Sequence, residues 1–158
     1  MSTGERILKK GRIPTGSAAG GLTWGRFAAE GIVEFGAPVE FGTDTERQMT
    51  AFAGNTFAGV AVWDETRRLR DRDGSGNPVW LEKYYDGDSL AVRRKGPVVV
   101  EVGEAIVAGT DPVYVSTDGK FYKQAGDGRT LVSSAAWGSD SQSADSLLLA
   151  ELILDLPG

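Results

Sequence analysis

From Gly31 onward, short runs of β-branched and aromatic residues alternate with glycine, proline, aspartate and asparagine. That pattern marks strands joined by tight turns. It predicts strands over 32–35, 38–41, 56–63, 79–85, 90–94, 98–102, 105–108, 112–116, 121–124, 131–137 and 146–156. The clearest hairpin is Val113-Tyr-Val-Ser-Thr-Asp-Gly-Lys-Phe-Tyr122, where Asp118-Gly119 supplies the positive-φ positions that a tight turn between twisted strands requires. Residues 64–73 hold helix-forming arginines but a single Leu69, too few apolar side chains to pack a helix face, so a turn or short helix is expected there. The leucine-rich C-terminus suits helix by propensity, yet its alternation favours a closing strand. That strand would bury Leu152, Leu154 and Leu156 and turn Glu151 and Asp155 to the other face.

Ahead of this β region, residues 1–26 carry six glycines and a proline, which interrupt every candidate strand or helix and leave isolated Ile7, Leu8 and Ile13. They read either as an arm that orders against a partner or as a frayed terminus, and composition does not separate the two. The expected architecture is all-β: a small β-barrel or jelly-roll-like sandwich over residues 27–158, with an extended N-terminal arm. An internal echo divides the domain further. Glu34-Phe-Gly-Ala-Pro-Val-Glu-Phe-Gly-Thr-Asp44 aligns without gaps with Glu101-Val-Gly-Glu-Ala-Ile-Val-Ala-Gly-Thr-Asp111, identical at five of eleven positions. An alanine-rich run ending in tryptophan follows each copy. Two related halves, 31–95 and 96–158, would account for this, as would two uses of one turn grammar.

Composition narrows the chemistry. At 158 residues the chain suits one domain, large enough to bury about two-thirds of its unfolded surface. It contains no cysteine and no histidine. Thiolate nucleophiles, disulfides, histidine-based triads and most transition-metal sites are thereby removed, so the expectation is a protein that is not an enzyme and has no cofactor. No apolar stretch approaches the length that crosses a bilayer, and the basic N-terminus lacks the apolar core of a secretory signal. The net charge of -5 is uneven: residues 1–95 carry 14 basic and 13 acidic groups, residues 96–158 carry 3 and 9. An acidic chain is a poor general nucleic-acid binder, because phosphate binding runs on clustered positive charge. Two basic clusters stand out, Arg67, Arg68, Arg70, Arg72 and Arg93, Arg94, Lys95, and the ordinary reading of each is a solvated face.

One motif suggests a ligand. Asp71-Arg-Asp-Gly-Ser-Gly-Asn-Pro-Val-Trp-Leu-Glu82 has the oxygen spacing of an EF-hand loop, with Asp71, Asp73, Ser75, Asn77 and Glu82 as candidate calcium ligands. Pro78 and the strand-like residues after it oppose that reading, and the plain alternative is a polar hairpin tip. The glycine-rich segment 16–25 lacks the Gly-Lys-Ser/Thr of a phosphate loop. Trp63, Trp80 and Trp137 suit a core, whereas Trp24, beside Phe27 in the arm, suits equally an anchor in a neighbouring molecule or packing on its own domain.

Three runs carry a resemblance: Gly31-Ile-Val-Glu-Phe-Gly-Ala-Pro-Val39, Phe57-Ala-Gly-Val-Ala-Val-Trp63, and Val102-Gly-Glu-Ala-Ile-Val-Ala-Gly-Thr-Asp-Pro-Val-Tyr-Val115. Together they resemble the structural cement proteins of tailed bacteriophages, over most of the chain from about Ile13 to Leu156. The resemblance implies a homo-oligomer, dimer or trimer, made in the host cytoplasm and bound outside the virion capsid. There it would bridge major capsid protein subunits and hold the shell against internal pressure, with no direct contact to nucleic acid or membrane. On that reading residues 1–30 and the basic loops touch capsid or sister subunits, with Ile13, Trp24, Arg26, Phe27, Arg67, Arg68, Arg70, Arg93 and Arg94 as candidate contacts. Deleting residues 2–24 is then expected to abolish capsid binding and leave the barrel folded. Competing readings are a carbohydrate- or host-surface-binding tail module, stacking sugars on Trp80, Tyr84 and Tyr85, and a metal-assisted hydrolase built on the Asp71–Glu82 loop.

Overall fold

The computed structural model describes residues 8–14, 21–64, 69–72, 74–144 and 146–157, which form strands and turns with no helix. Five strands make a closed barrel: β1 (Leu22–Ala29), β3 (Pro38–Phe41), β4 (Gln48–Ala51), β5 (Phe57–Ala61) and β9 (Ser89–Glu101). They follow one another as β1-β4-β3-β5-β9, and β9 pairs back onto β1, which closes the ring. Closure removes the unpaired edges that an open sheet of this size would expose. A short pair, β2 (Val33–Glu34) with β8 (Lys83–Tyr84), adds to the barrel core, and β6 (Leu69–Arg72) pairs with β7 (Pro78–Leu81) as a separate hairpin. The core holds Phe27, Val33, Phe35, Val39, Met49, Tyr84, Leu90 and Val92.

β9 is long enough to leave the barrel. Its second half, from Lys95 to Glu101, pairs with β15 (Leu147–Asp155), which also carries β13 (Ala135–Trp137) and β14 (Gln142–Ala144). Against this extension packs a three-stranded sheet of β10 (Tyr114–Ser116), β11 (Phe121–Tyr122) and β12 (Arg129–Leu131). Alternation along β9 then divides its side chains by face. Leu90 and Val92 enter the barrel core, while Val98 and Val100 enter a second core with Phe121, Trp137, Leu152 and Leu154. Val99 points the other way and is covered by Leu8 together with Leu149.

The expected hairpin is present: Tyr114 pairs with Tyr122 and Val115 with Phe121, and Gly119 has φ +86° at the turn. The C-terminus is a strand with Leu152, Leu154 and Leu156 buried. Glu151 alternates with Leu152 onto the other face, the one carrying Leu149, where it is 6% exposed beside Gly138. Residues 105–108 do not form the predicted strand, because side chains take their backbone donors: Ser141 Oγ binds the amide of Ile106, Asp111 that of Val107 and Asp140 that of Ala108. The second copy of the eleven-residue echo thus runs from the end of β9 into a loop, where the first runs through β2 into β3. Residues 69–72, expected as a turn or short helix, are β6, since β7 offers a complementary edge. Runs 90–94 and 98–102 are one strand, whereas 131–137 is divided between β12 and β13.

The largest difference lies at the N-terminus. Leu22, Thr23 and Trp24 pair with β9, so the barrel wall starts inside the stretch read as arm. Residues 8–14 are docked rather than extended: Gly11 N–H donates to Val99 O at 2.8 Å, Val99 N–H to Arg12 O at 2.9 Å, and Trp63 N–H to Gly11 O at 2.8 Å. Pro97 interrupts nothing, because its missing N–H falls on the edge of β9 between the Leu22 pairing and these arm bonds, where a strand tolerates proline.

A buried carboxylate fixes one barrel loop. Glu40, 4% exposed, accepts the amides of Ala53 (2.6 Å) and Asn55 (3.2 Å) and the Asn55 side chain (2.6 Å). Burial alone would raise its pKa, but the donors from Asn55 and the neighbouring backbone outweigh burial and hold it below the ordinary carboxylate value. A depressed folded-state pKa gives stability that is present above the unfolded pKa and lost as pH falls through the folded one. Glu40→Gln is therefore expected to cost about 2 kcal/mol at neutral pH, the scale for a lost charge-assisted acceptor with amides left facing an NH2 group. Urea denaturation should show the gap between wild type and variant narrowing as pH drops below 4.5, the ordinary value for this group. A gap constant from pH 7 to 3 would contradict the assignment.

Candidate functional site

Strand β1 is bulged between Trp24 and Phe27, and the irregularity brings both rings to the same side, where they stack at 5.7 Å. Phe27 is 1% exposed and continues into the barrel against Phe41, while Trp24 stays half-buried at the rim. Two arginines flank this pair. Exposed Arg26 places its guanidinium 4.7 Å from the Trp24 ring and 4.9 Å from Phe27, and Arg94 from β9 lies 4.1 Å from Trp24. Such contacts draw on the ring quadrupole and fix the plane of the guanidinium. Arg94 also donates from Nη1 to Ala58 O at 2.6 Å and from Nη2 to Pro157 O, tying β5 and the C-terminal tail to the same group. Its Nε is buried and has no hydrogen-bond partner among the described residues.

The neighbouring Arg93 takes the opposite face. Its Nε donates to Pro97 O at 3.3 Å and its Nη1 to Thr23 Oγ1 at 3.1 Å. Both arginines are 7% exposed, and neither meets a carboxylate among the described residues. Burial lowers the pKa of each, and at Arg94 the charge of Arg26 adds to burial. Arginine remains protonated at physiological pH regardless, so the rim of the barrel carries real positive charge.

A second cluster lies under the docked N-terminal segment. Lys10 pairs with Glu101 at 3.5 Å and Glu34 at 4.0 Å, Lys120 also reaches Glu101 at 3.8 Å, and Arg12 sits 4.4 Å over Trp63. A polar cleft of about 640 Å³ opens beside them, between Lys83, Trp63 and Leu149. Its charges are internally balanced, so it holds the segment in place rather than presenting a net field.

The structure thus brings Trp24, Arg26, Phe27 and Arg94 together on one face of β1 and β9, with Arg93 against Thr23 on the other, although residues 23 and 93 are 70 apart in sequence. Ile13, 36% exposed, lies at the end of the docked segment. Arg67 and Arg68 fall outside the described residues, and Arg70 is on the separate hairpin opposite Trp80. Sequence reasoning missed Thr23, Gly21, Gly96 and Pro157, which shape this surface but carry no local signal. On the calcium-like loop, Asp71 lies on β6, Ser75 and Asn77 in the connecting turn, and Glu82 just past β7, with Asp73 outside the described residues. This is a β-hairpin, whereas an EF-hand loop runs between helices, and the described residues contain no cluster of three or more carboxylates suited to a metal ion. Of the rings considered for sugar stacking, Tyr84 is fully buried with its hydroxyl donating to Val62 O at 2.6 Å, so it is unavailable to a ligand, and Tyr85 is half-buried.

The family described as structural cement protein (E217 gp24/Pam3 gp6) matches residues 6–152. Among solved structures, a chain from the capsid of Myoviridae phage XM1 aligns over 95% of this chain and 92% of its own, with a TM-score of 0.62 and 21% identity, a likeness of fold. No curated protein matches the sequence.

Proposed function

The chain belongs to the structural cement protein family, which gives it a structural role in a phage capsid, and from this we propose that it binds the outer surface of the shell and bridges neighbouring major capsid protein subunits. The observation that carries the reading is the family match across nearly the whole chain, 6–152. The geometry supports it: the Trp24 rim combines aromatic and arginine groups of the kind enriched at interfaces. Ile13, Trp24 and Arg26 are the proposed direct contacts, with Arg93 and Arg94 supporting them from β9; Arg67, Arg68 and Arg70 are kept as contacts of the second basic loop.

A repeated shell rewards modest interfaces, because a dimer or trimer of this chain engages several sites at once and the second contact forms at high effective concentration. Resistance to internal pressure would follow from that multivalency without a large single interface. Cement action needs no catalysis. Deleting residues 2–24 is no longer a clean test, since it removes Leu8 from above Val99 and three paired residues from β1. Light scattering of the purified chain, followed by co-sedimentation with shells stripped of small proteins, tests the proposal directly. Saturable binding that raises the temperature at which shells open is the expected result. A monomer that leaves shell sedimentation and heat resistance unchanged would overturn it.

A further inference from the structure

Glycine inside a strand costs stability, so it is retained where the backbone conformation or a close neighbour demands it. The described strands hold three: Gly25 in β1, Gly59 in β5 and Gly96 in β9. Gly59 and Gly96 have φ +148° and +92°, and a Cβ on either would stand 2.6 Å from an atom of Arg93. Gly25 meets neither condition. It is exposed, its φ lies outside the left-handed region, and a Cβ there would find nothing within 4 Å. The fold of this chain does not require glycine at 25, and a strand glycine of that kind marks a place where another backbone comes close.

The surroundings suit such an approach. β1 joins β4 through Ala28 and Ala29 only, so from Leu22 to Phe27 it is paired on the β9 side alone, and the bulge leaves Gly25 and Arg26 outside the ladder. A hollow of about 590 Å³ follows this stretch, lined by Thr23, Trp24, Gly25 and Arg26. Its Trp24 wall is held by stacking on Phe27 and by Arg94. Arg26 lies over the Trp24 and Phe27 rings and makes no hydrogen bond or ion pair among the described residues. A guanidinium held by its face keeps its in-plane N–H donors free for a planar acceptor. With Arg94 on the same ring, two positive charges share the site and no carboxylate of the described residues pairs with either.

We propose that this notch seats an extended segment of a protein partner, whose main chain passes over Gly25 and whose aspartate or glutamate side chain pairs with Arg26. Resting on the capsid reading, that partner is the shell protein. An unpaired strand edge is recognised by extended chains, and the uncompensated charge selects an acidic one. Two guanidiniums on a chain of net charge -5 match one or two carboxylates and not the extended row of phosphates that drives nucleic-acid binding.

The test compares wild type with Gly25→Leu, Arg26→Gln and, in the three-stranded sheet, Lys123→Gln. Co-sedimentation with stripped shells over a salt series gives the affinity and circular dichroism the thermal midpoint, while the isolated chain is titrated with poly-glutamate and duplex DNA by tryptophan fluorescence. Gly25→Leu and Arg26→Gln should each weaken shell binding about tenfold or more, the scale of one charge-assisted hydrogen bond, and Lys123→Gln should leave it unchanged. Arg26→Gln should also flatten the salt dependence, whereas Gly25→Leu fills the hollow, keeps the charge and should keep the slope. Gly25→Leu should melt no lower than wild type, since it replaces a strand glycine and meets open space. Wild-type shell affinity in either notch variant would overturn the site and leave the capsid reading standing. If wild type ignores shells, the capsid reading falls and poly-glutamate decides the notch: binding weakened by both variants retains it, and no binding overturns it. Preference for DNA over poly-glutamate would overturn the acidic segment. Should Gly25→Leu lose its fold, Arg26→Gln, at an exposed side chain, carries the comparison.

Discussion

Phe121→Ala is expected to lower the unfolding free energy by about 3–5 kcal/mol, the range for removing a large aromatic side chain from a packed core. Phe121 has no exposed surface and stands in a row of edge-on rings, Phe52, Phe57, Phe121 and Trp137, with centroids 6.3, 5.9 and 6.4 Å apart. The row crosses element boundaries: Phe57 lies on barrel strand β5, Phe121 on β11 and Trp137 on β13. Removing the Phe121 ring leaves a cavity facing Phe57 and Trp137, and the surroundings relax poorly because Trp137 is itself pinned by Nε1 donating to Pro112 O at 3.0 Å. For a domain whose whole stability is about 5–15 kcal/mol, this is a large fraction. Urea unfolding followed by tryptophan fluorescence measures it. A loss below about 1 kcal/mol would mean that the second core collapses around the gap and that the ring row does not join the barrel to its extension.

How much of this was legible beforehand depends on whether local pattern and tertiary role agreed. In β15 and the Asp118-Gly119 hairpin they did: leucines at alternate positions pack on one core, and the turn residues permit the backbone they are found in. In β1 they did not. Its bulge places Trp24 and Phe27 side by side although they are three residues apart, so no period of two appears, and Gly25 made the segment resemble an arm. Lys95-Gly96-Pro97 looked like a break between two strands, because the sequence does not reveal that β9 keeps its pairing with β15 through Gly96 and Pro97. The loop at 105–108 has strand-like residues but gives its amides to Ser141, Asp111 and Asp140. Arginines 93 and 94 were visible as charge, yet their burial was not, since Trp24 and Thr23 reach them only through the closed barrel.

Gly11→Val should release the N-terminal segment at a cost of about 3 kcal/mol, combining lost burial of Leu8, broken backbone bonds and strain from a β-branched residue at positive φ. Gly11 has φ +86°, and a Cβ there would stand 2.7 Å from Gly36 N and 3.0 Å from the Phe35 carbonyl carbon, both backbone atoms that cannot step aside. Its own N–H and C=O are the ones bonded to Val99 and Trp63, so the segment cannot shift to make room without giving up both. The penalty has a ceiling. Once strain exceeds the docking free energy of residues 8–14, the segment detaches and the barrel keeps its fold, so the loss stops at the value of the docking itself. Gly109→Ala is the matched control: φ is +82° but a Cβ meets nothing within 4 Å, and backbone strain alone should cost about 1 kcal/mol. Hydrogen exchange separates detachment from unfolding, because the amides of Val99 and Trp63 bond to the segment whereas those of Ala61 and Val62 bond to Ala37 and Ala91 inside the barrel. The first pair should lose protection in Gly11→Val and the second should keep it. Equal loss in both pairs would show instead that the segment is part of the barrel's cooperative unit and cannot open without the fold.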